Sequence, residues 1–141
     1  MNVERLRKIG RRQEGQAMVE FALVLPVLLL IVMGIIQFGI LFNNYVTRTD
    51  AVRAGARQAA VSRTMPNPAT LATDRVKKSA AGLKDSDIQV TVTAYNPNDG
   101  TATWVQGGDV TVKATYPFDI SILGFVVMSG DISSETTERV E

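Results

Sequence analysis

The chain has 141 residues, 45% of them hydrophobic, a formal net charge of +1, and neither cysteine nor histidine. That composition excludes a disulfide framework, thiolate or imidazole metal sites, and the nucleophile–histidine pairs of most acyl-transfer enzymes. With no Gly-x-Ser-x-Gly elbow, phosphate loop or helically spaced acidic pair in an apolar setting, the chain reads as non-catalytic, with no cofactor, metal or small-molecule substrate expected.

Residues 1–15 form a basic, hydrophilic leader in which Arg5, Arg7, Lys8, Arg11 and Arg12 are opposed only by Glu4 and Glu14. A lone acid, Glu20, follows, and no further charge appears until Arg48. Phe21 to Phe42 reads FALVLPVLLLIVMGIIQFGILF. As a helix it would span ~33 Å, against a hydrocarbon core about 30 Å thick, so one membrane crossing is expected over residues 16–43. The far end, Phe42-Asn43-Asn44-Tyr45, offers no small-x-small site of the kind that ends a secretory signal peptide, so the segment is expected to be retained. The basic leader favours a cytoplasmic N-terminus and an extracytoplasmic C-terminal part, although Arg48, Arg53, Arg57 and Arg63 on the far flank oppose part of that bias.

Glu20 allows two readings. It lies either at headgroup level, where water and the helix dipole favour a carboxylate, or within the apolar layer, where an acid requires a partner. Gly15 favours the second, because a small residue just before the apolar block suits a protease that cuts on the cytoplasmic side and leaves the helix in place. Cleavage there would make Gln16 the new N-terminus.

The helix is expected to continue outside the membrane over residues 44–63, which lack proline and are rich in alanine and arginine. Ala51, Gly55 and Ala59 recur every four residues and form a small-residue face. That face either packs on the chain's own domain or receives another subunit. Residues 64–141 are long enough for one small α+β domain. Met65-Pro66-Asn67-Pro68 interrupts the helix, with Asn67 as N-cap of a second helix that runs to about Ala81, and Gly82 as its stop. From Asp87 the apolar period becomes two. Ile88, Val90, Val92 and Ala94 mark one strand, Thr101 to Val105 a second, and Val110 to Tyr116 a third that ends at Pro117. Ile120 to Met128 is apolar but too short to span a bilayer; it is a docking loop, a short helix, or the run-in to a last strand over 132–140. The expected architecture is pilin-like α+β, a long N-terminal helix with a short second helix and an antiparallel sheet of three to four strands.

The run EGQAMVEFALVLPVLLLIVMGIIQFG, Glu14 to Gly39, followed by AVRAGARQAA, Ala51 to Ala60, resembles the N-terminal signature of TadE-like proteins, minor pseudopilins of the Tad (Flp, type IVb) pilus system. The resemblance implies processing by a prepilin peptidase between Gly15 and Gln16, and retention as a single-span protein of the cytoplasmic (inner) membrane. It also implies a part in pilus assembly and bacterial adhesion, alongside other pilins and the inner-membrane assembly platform. Gln16 stands where many other type IV pilins begin the mature chain with phenylalanine. The family's glycine and glutamate fall on Gly15 and Glu20. Physically, Glu20 would pair with the α-ammonium group of a neighbouring subunit and set axial register.

Other partners fit less well. Asn96 to Gly100 superficially resembles a calcium loop, but aligning Gly100 with the loop glycine puts Pro97 and Tyr95 at ligand positions. The basic residues are split between the leader and a membrane-proximal helix, with no nucleic-acid patch. The alternatives are an uncleaved single-pass protein whose extracytoplasmic domain binds a partner or the cell wall, and a type II secretion pseudopilin.

Overall fold

The structure, a computed structural model, describes residues 3–122 and 124–141, with side chains from Gly15 onward; the first two residues of the basic leader and Leu123 of the apolar 120–128 run lie outside the described residues. The elements in chain order are α1 (Val3–Val61), α2 (Pro68–Ser79), β1 (Gln89–Tyr95), β2 (Asp109–Ile122) and β3 (Phe125–Arg139). Two compact units divide the chain, Met1–Phe38 and Gly39–Glu141.

In the first unit, Leu, Val and Ile dominate α1, and the helix runs through Pro26 without interruption. Most of its large apolar side chains are exposed, Phe21, Leu23, Val27, Ile31 and Ile35 among them, and only one face, through Met33 and Gln37, is half-buried. A helix apolar all round belongs in a lipid environment. Among the described residues this is the one helix long and apolar enough to cross a membrane, which fits a single-pass membrane protein.

In the second unit, β1, β2 and β3 form one antiparallel sheet in that order, so the fold is α+β. Val90 pairs with Ala114 and Val92 with Val112, and β2 continues against β3 from Asp109 opposite Arg139 to Ile122 opposite Phe125. The period-two pattern decides which side chains go inside. Val110, Val112 and Ala114 of the central strand are buried with Ile88, and Val90 and Val92 pack on them. Ala51, Val52, Ala56, Ala59 and Ala60 of α1, with Ala72 and Val76 of α2, pack into this core, which Ala80, Leu83 and Val140 close. It is small and built from alanine and valine, which lets helix backbones approach closely.

Four expectations are corrected. Thr101 to Val105 is not a strand. The loop closes on itself, with Asn96 N–H donating to Thr101 O at 2.9 Å and Trp104 Nε1–H donating to Ala59 O at 3.2 Å, so β1 pairs with β2 instead. Pro117 does not end β2: β1 reaches only to Thr115, and past that point β2 has an open edge where proline is tolerated. The final strand starts at Phe125 rather than 132, because Ile120 to Met128 folds back on itself around Gly124, whose φ of +84° suits a tight turn. Asn67 stands at the head of α2 but is left-handed (φ 55°) and makes no side-chain cap; its carbonyl instead accepts from Thr70 and Leu71 N–H.

Candidate functional site

Gly15, Gln16 and Glu20 lie in the first described turns of α1, and all three are exposed. A Cβ added to Gly15 would meet nothing within 4 Å, so packing inside the chain does not require glycine there. One turn after Gln16, the Glu20 carboxylate is the only charge between Glu14 and Arg48. It is flanked by exposed Met18, Val19, Phe21 and Leu23, and no ion pair involves it among the described residues. A carboxylate on an otherwise apolar, outward-facing surface is a directional feature: a cation brought to it in lipid would be held far more strongly than in water.

The second group of predicted residues lies elsewhere. Ala51 and Ala59 are fully buried, and Gly55 is buried between them. A Cβ on Gly55 would overlap Val76 Cγ2 and stand 3.2 Å from Ala72 O, so α2 crosses α1 at this glycine. The small-residue face is therefore occupied by the chain's own second helix. On the neighbouring face Arg53 and Arg57 are exposed, and the Arg53–Asp50 pair at 3.6 Å is a solvated contact of little energetic weight. Arg57, Arg75, Arg139, Glu138 and Glu141 line an open cleft of about 460 Å³, where the mixed charges favour solvent over any one ligand.

Sequence reasoning missed Arg48. It is 0% exposed in the compact unit, with Nη2 donating to Ser133 O at a long 3.4 Å, and Nε and Nη1 have no partner among the described residues. The guanidinium carbon sits 5.4 Å from the Tyr45 ring centroid. Burial lowers the Arg48 pKa, and the electrostatic contribution of the adjacent Tyr45 opposes that shift. The available signal was positional: Arg48 precedes Val52, Gly55 and Ala59 at helical spacing, on the core face rather than the solvent face. A buried, under-bonded charge costs stability. Arg48→Met, which keeps the stem and removes the charge, is expected to raise stability by about 1–3 kcal/mol. Thermal unfolding followed by Trp104 fluorescence checks this, and a lower midpoint would show that the guanidinium holds β3 more firmly than its long bond suggests.

No cluster of three or more metal-ligating side chains occurs among the described residues. In the Asn96–Gly100 turn the acceptors are already used: Asn96 Oδ1 takes Asn98 N–H at 3.0 Å, and Asp99 Oδ1 takes Thr101 N–H at 2.9 Å and the Thr101 hydroxyl at 2.7 Å. The Thr101 hydroxyl and then its amide hold the Asp99 carboxyl below its ordinary range. That carboxylate serves its own turn.

No curated protein and no solved structure matches the chain. The model of the family described as TadE-like protein matches residues 15–57. The match opens at Gly15 and takes in Glu20, the whole apolar run and the Ala51–Gly55 face, so this part of the chain is similar to TadE-like proteins.

Proposed function

We propose that the chain is a processed minor pseudopilin of a Tad (Flp, type IVb) pilus, a non-catalytic component that primes, caps or anchors the fibre. A prepilin peptidase removes residues 1–15 on the cytoplasmic side, leaving residues 16–43 in the inner membrane and residues 44–141 outside. Other pilins and the assembly platform are its partners. The observation that carries this reading is the pairing of a TadE-like segment that begins at Gly15 with a lone exposed carboxylate, Glu20, at the fifth position after it.

Two physical points support it. Gly15 has open space around it, so its lack of a side chain is not explained by internal packing and suits entry into a protease site. Cleavage also creates an α-ammonium group at Gln16, the charge that Glu20 of an adjacent subunit would need. In an array of parallel helices that pairing fixes how far each subunit is staggered from the next.

The test is the intact mass of the membrane-embedded chain expressed with and without a prepilin peptidase, repeated on Gly15→Leu. Loss of residues 1–15 in the wild type and retention in the variant are expected. A full-length mass in cells that process their own pilin would leave an uncleaved membrane-anchored binding domain as the better reading.

A further inference from the structure

Strand β3 changes character halfway along. Its second half, Ser133 to Arg139, is serine, threonine and charge, whereas its first four residues, Phe125, Val126, Val127 and Met128, are apolar and 57–77% exposed. No charged residue occurs between Asp119 and Asp131. The register shifts between Ile120, opposite Met128, and Ser121, opposite Val126, so the side chains do not alternate regularly here, and Ile120 is buried while all four residues of β3 stay more than half exposed.

The direction of this hairpin follows from contacts within the Gly39–Glu141 unit. Arg48 reaches Ser133 O, Thr49 pairs with Ser134 at 3.3 Å, and Glu141 N–H donates to Ala60 O at 3.1 Å. Hence β3 and this part of α1 run the same way, and going backward from Ser133 leads toward the Gly39 end of the helix. Between the Thr49–Ser134 and Ala60–Glu141 contacts, seven strand residues (~23 Å) match eleven helix residues (~16 Å), so β3 is inclined to α1 and draws level with Gly39 at about Val127. Phe125 to Met128 thus lie about level with Gly39, beside residues 39–43, the part of the expected span that belongs to this unit.

We propose that the β2–β3 hairpin tip is a second membrane contact, with Phe125, Val126, Val127 and Met128 seated in the headgroup–acyl boundary of the bilayer that α1 crosses. A run of four apolar side chains more than half exposed, level with the part of the expected span that belongs to this unit, is a surface that a lipid boundary covers. The four residues extend ~10 Å along the strand, which matches the ~5–10 Å depth of interfacial elements. Together with α1, this contact would fix the tilt of the folded unit on the membrane surface.

The proposal rests on the single-span reading of α1, and the experiment separates the two. The chain has no cysteine, so single cysteines at Phe125, Val126, Glu135 and Leu30 can each carry an environment-sensitive fluorophore in the full chain. The proteins are reconstituted at about one copy per phosphatidylcholine vesicle, with nitroxide-lipid and iodide as opposing quenchers. Labels at Phe125→Cys and Val126→Cys are expected to be quenched by the lipid nitroxide and shielded several-fold from iodide, with Glu135→Cys showing the reverse. If Leu30→Cys is lipid-quenched but the Phe125 and Val126 labels respond to iodide as Glu135 does, the hairpin proposal is overturned while the membrane span stands. Shielding at Phe125 and Val126 that appears only when copies are crowded would assign the surface to a second copy and overturn it equally. Absence of lipid quenching at Leu30 would instead overturn the span itself.

Discussion

Gly55→Leu is expected to lower the stability of the Gly39–Glu141 unit by about 3 kcal/mol, which for a domain of this size moves the thermal midpoint down by roughly 10–20 °C. The reason is local. Even a methyl group at this position overlaps Val76 Cγ2, and the next nearest atom is the Ala72 carbonyl oxygen, which is backbone and cannot turn aside. Val76 is β-branched and fully buried, so it has little rotamer freedom with which to give way. The helices must separate, and the alanine-valine core between them has few contacts to spare. A double variant, Gly55→Ala with Val76→Ala, is expected to recover part of the loss of Gly55→Ala, because the two side chains compete for one space. Trp104 is the only tryptophan, and its indole donates to Ala59 O on the same stretch of α1, so its emission reports this core directly. An unchanged midpoint in Gly55→Leu would mean that α2 does not cross α1 at this glycine.

The second large effect concerns Glu20. Replacing it with glutamine removes the charge while preserving size and hydrogen-bonding capacity, so insertion of α1 is expected to be unaffected or slightly easier. Incorporation beside other subunits is expected to fall by an order of magnitude or more, since the α-ammonium group of each new neighbour would then sit in a low-dielectric layer without its counter-charge. Leaving one member of a buried pair unmatched costs about 3–5 kcal/mol, more than enough to change a subunit's occupancy in an assembly. The structure gives this carboxylate no competing intramolecular ion pair among the described residues, so the charge is available.

Much of this was legible in the chain because it depends on local pattern. The apolar run between Glu20 and Arg48 has only one compatible structure at its length, and the alternations at Ile88–Ala94 and Val110–Tyr116 sort the sheet's side chains into core and solvent. The errors came where distant contacts overrode local preference. Thr101 to Val105 looks like a strand, yet Trp104 is drawn to Ala59 O across 45 positions of sequence, and that contact decides the loop. The uniform apolar stretch Ile120 to Met128 has no period to read, and only the pairing of Ile122 with Phe125 across Gly124 reveals two strands. Arg48 was hidden for a different reason: its position on the helix said core while its chemistry said solvent, and position prevailed. The Ala51-Gly55-Ala59 spacing announced a close approach of backbones but not whose backbone; the fold supplies α2.

The central claim is that one segment of α1 serves both as a membrane span and as an assembly device, with Glu20 belonging only to the second role. The most direct measurement is the partition of the chain between membrane and sheared-pilus or assembly-platform fractions, made for the wild type and Glu20→Gln at equal expression. The account predicts that both proteins reach the membrane in equal amount and that only the wild type co-fractionates with pilus components. Equal co-fractionation of Glu20→Gln, or a wild type found in the membrane and never with pilus components, would contradict it.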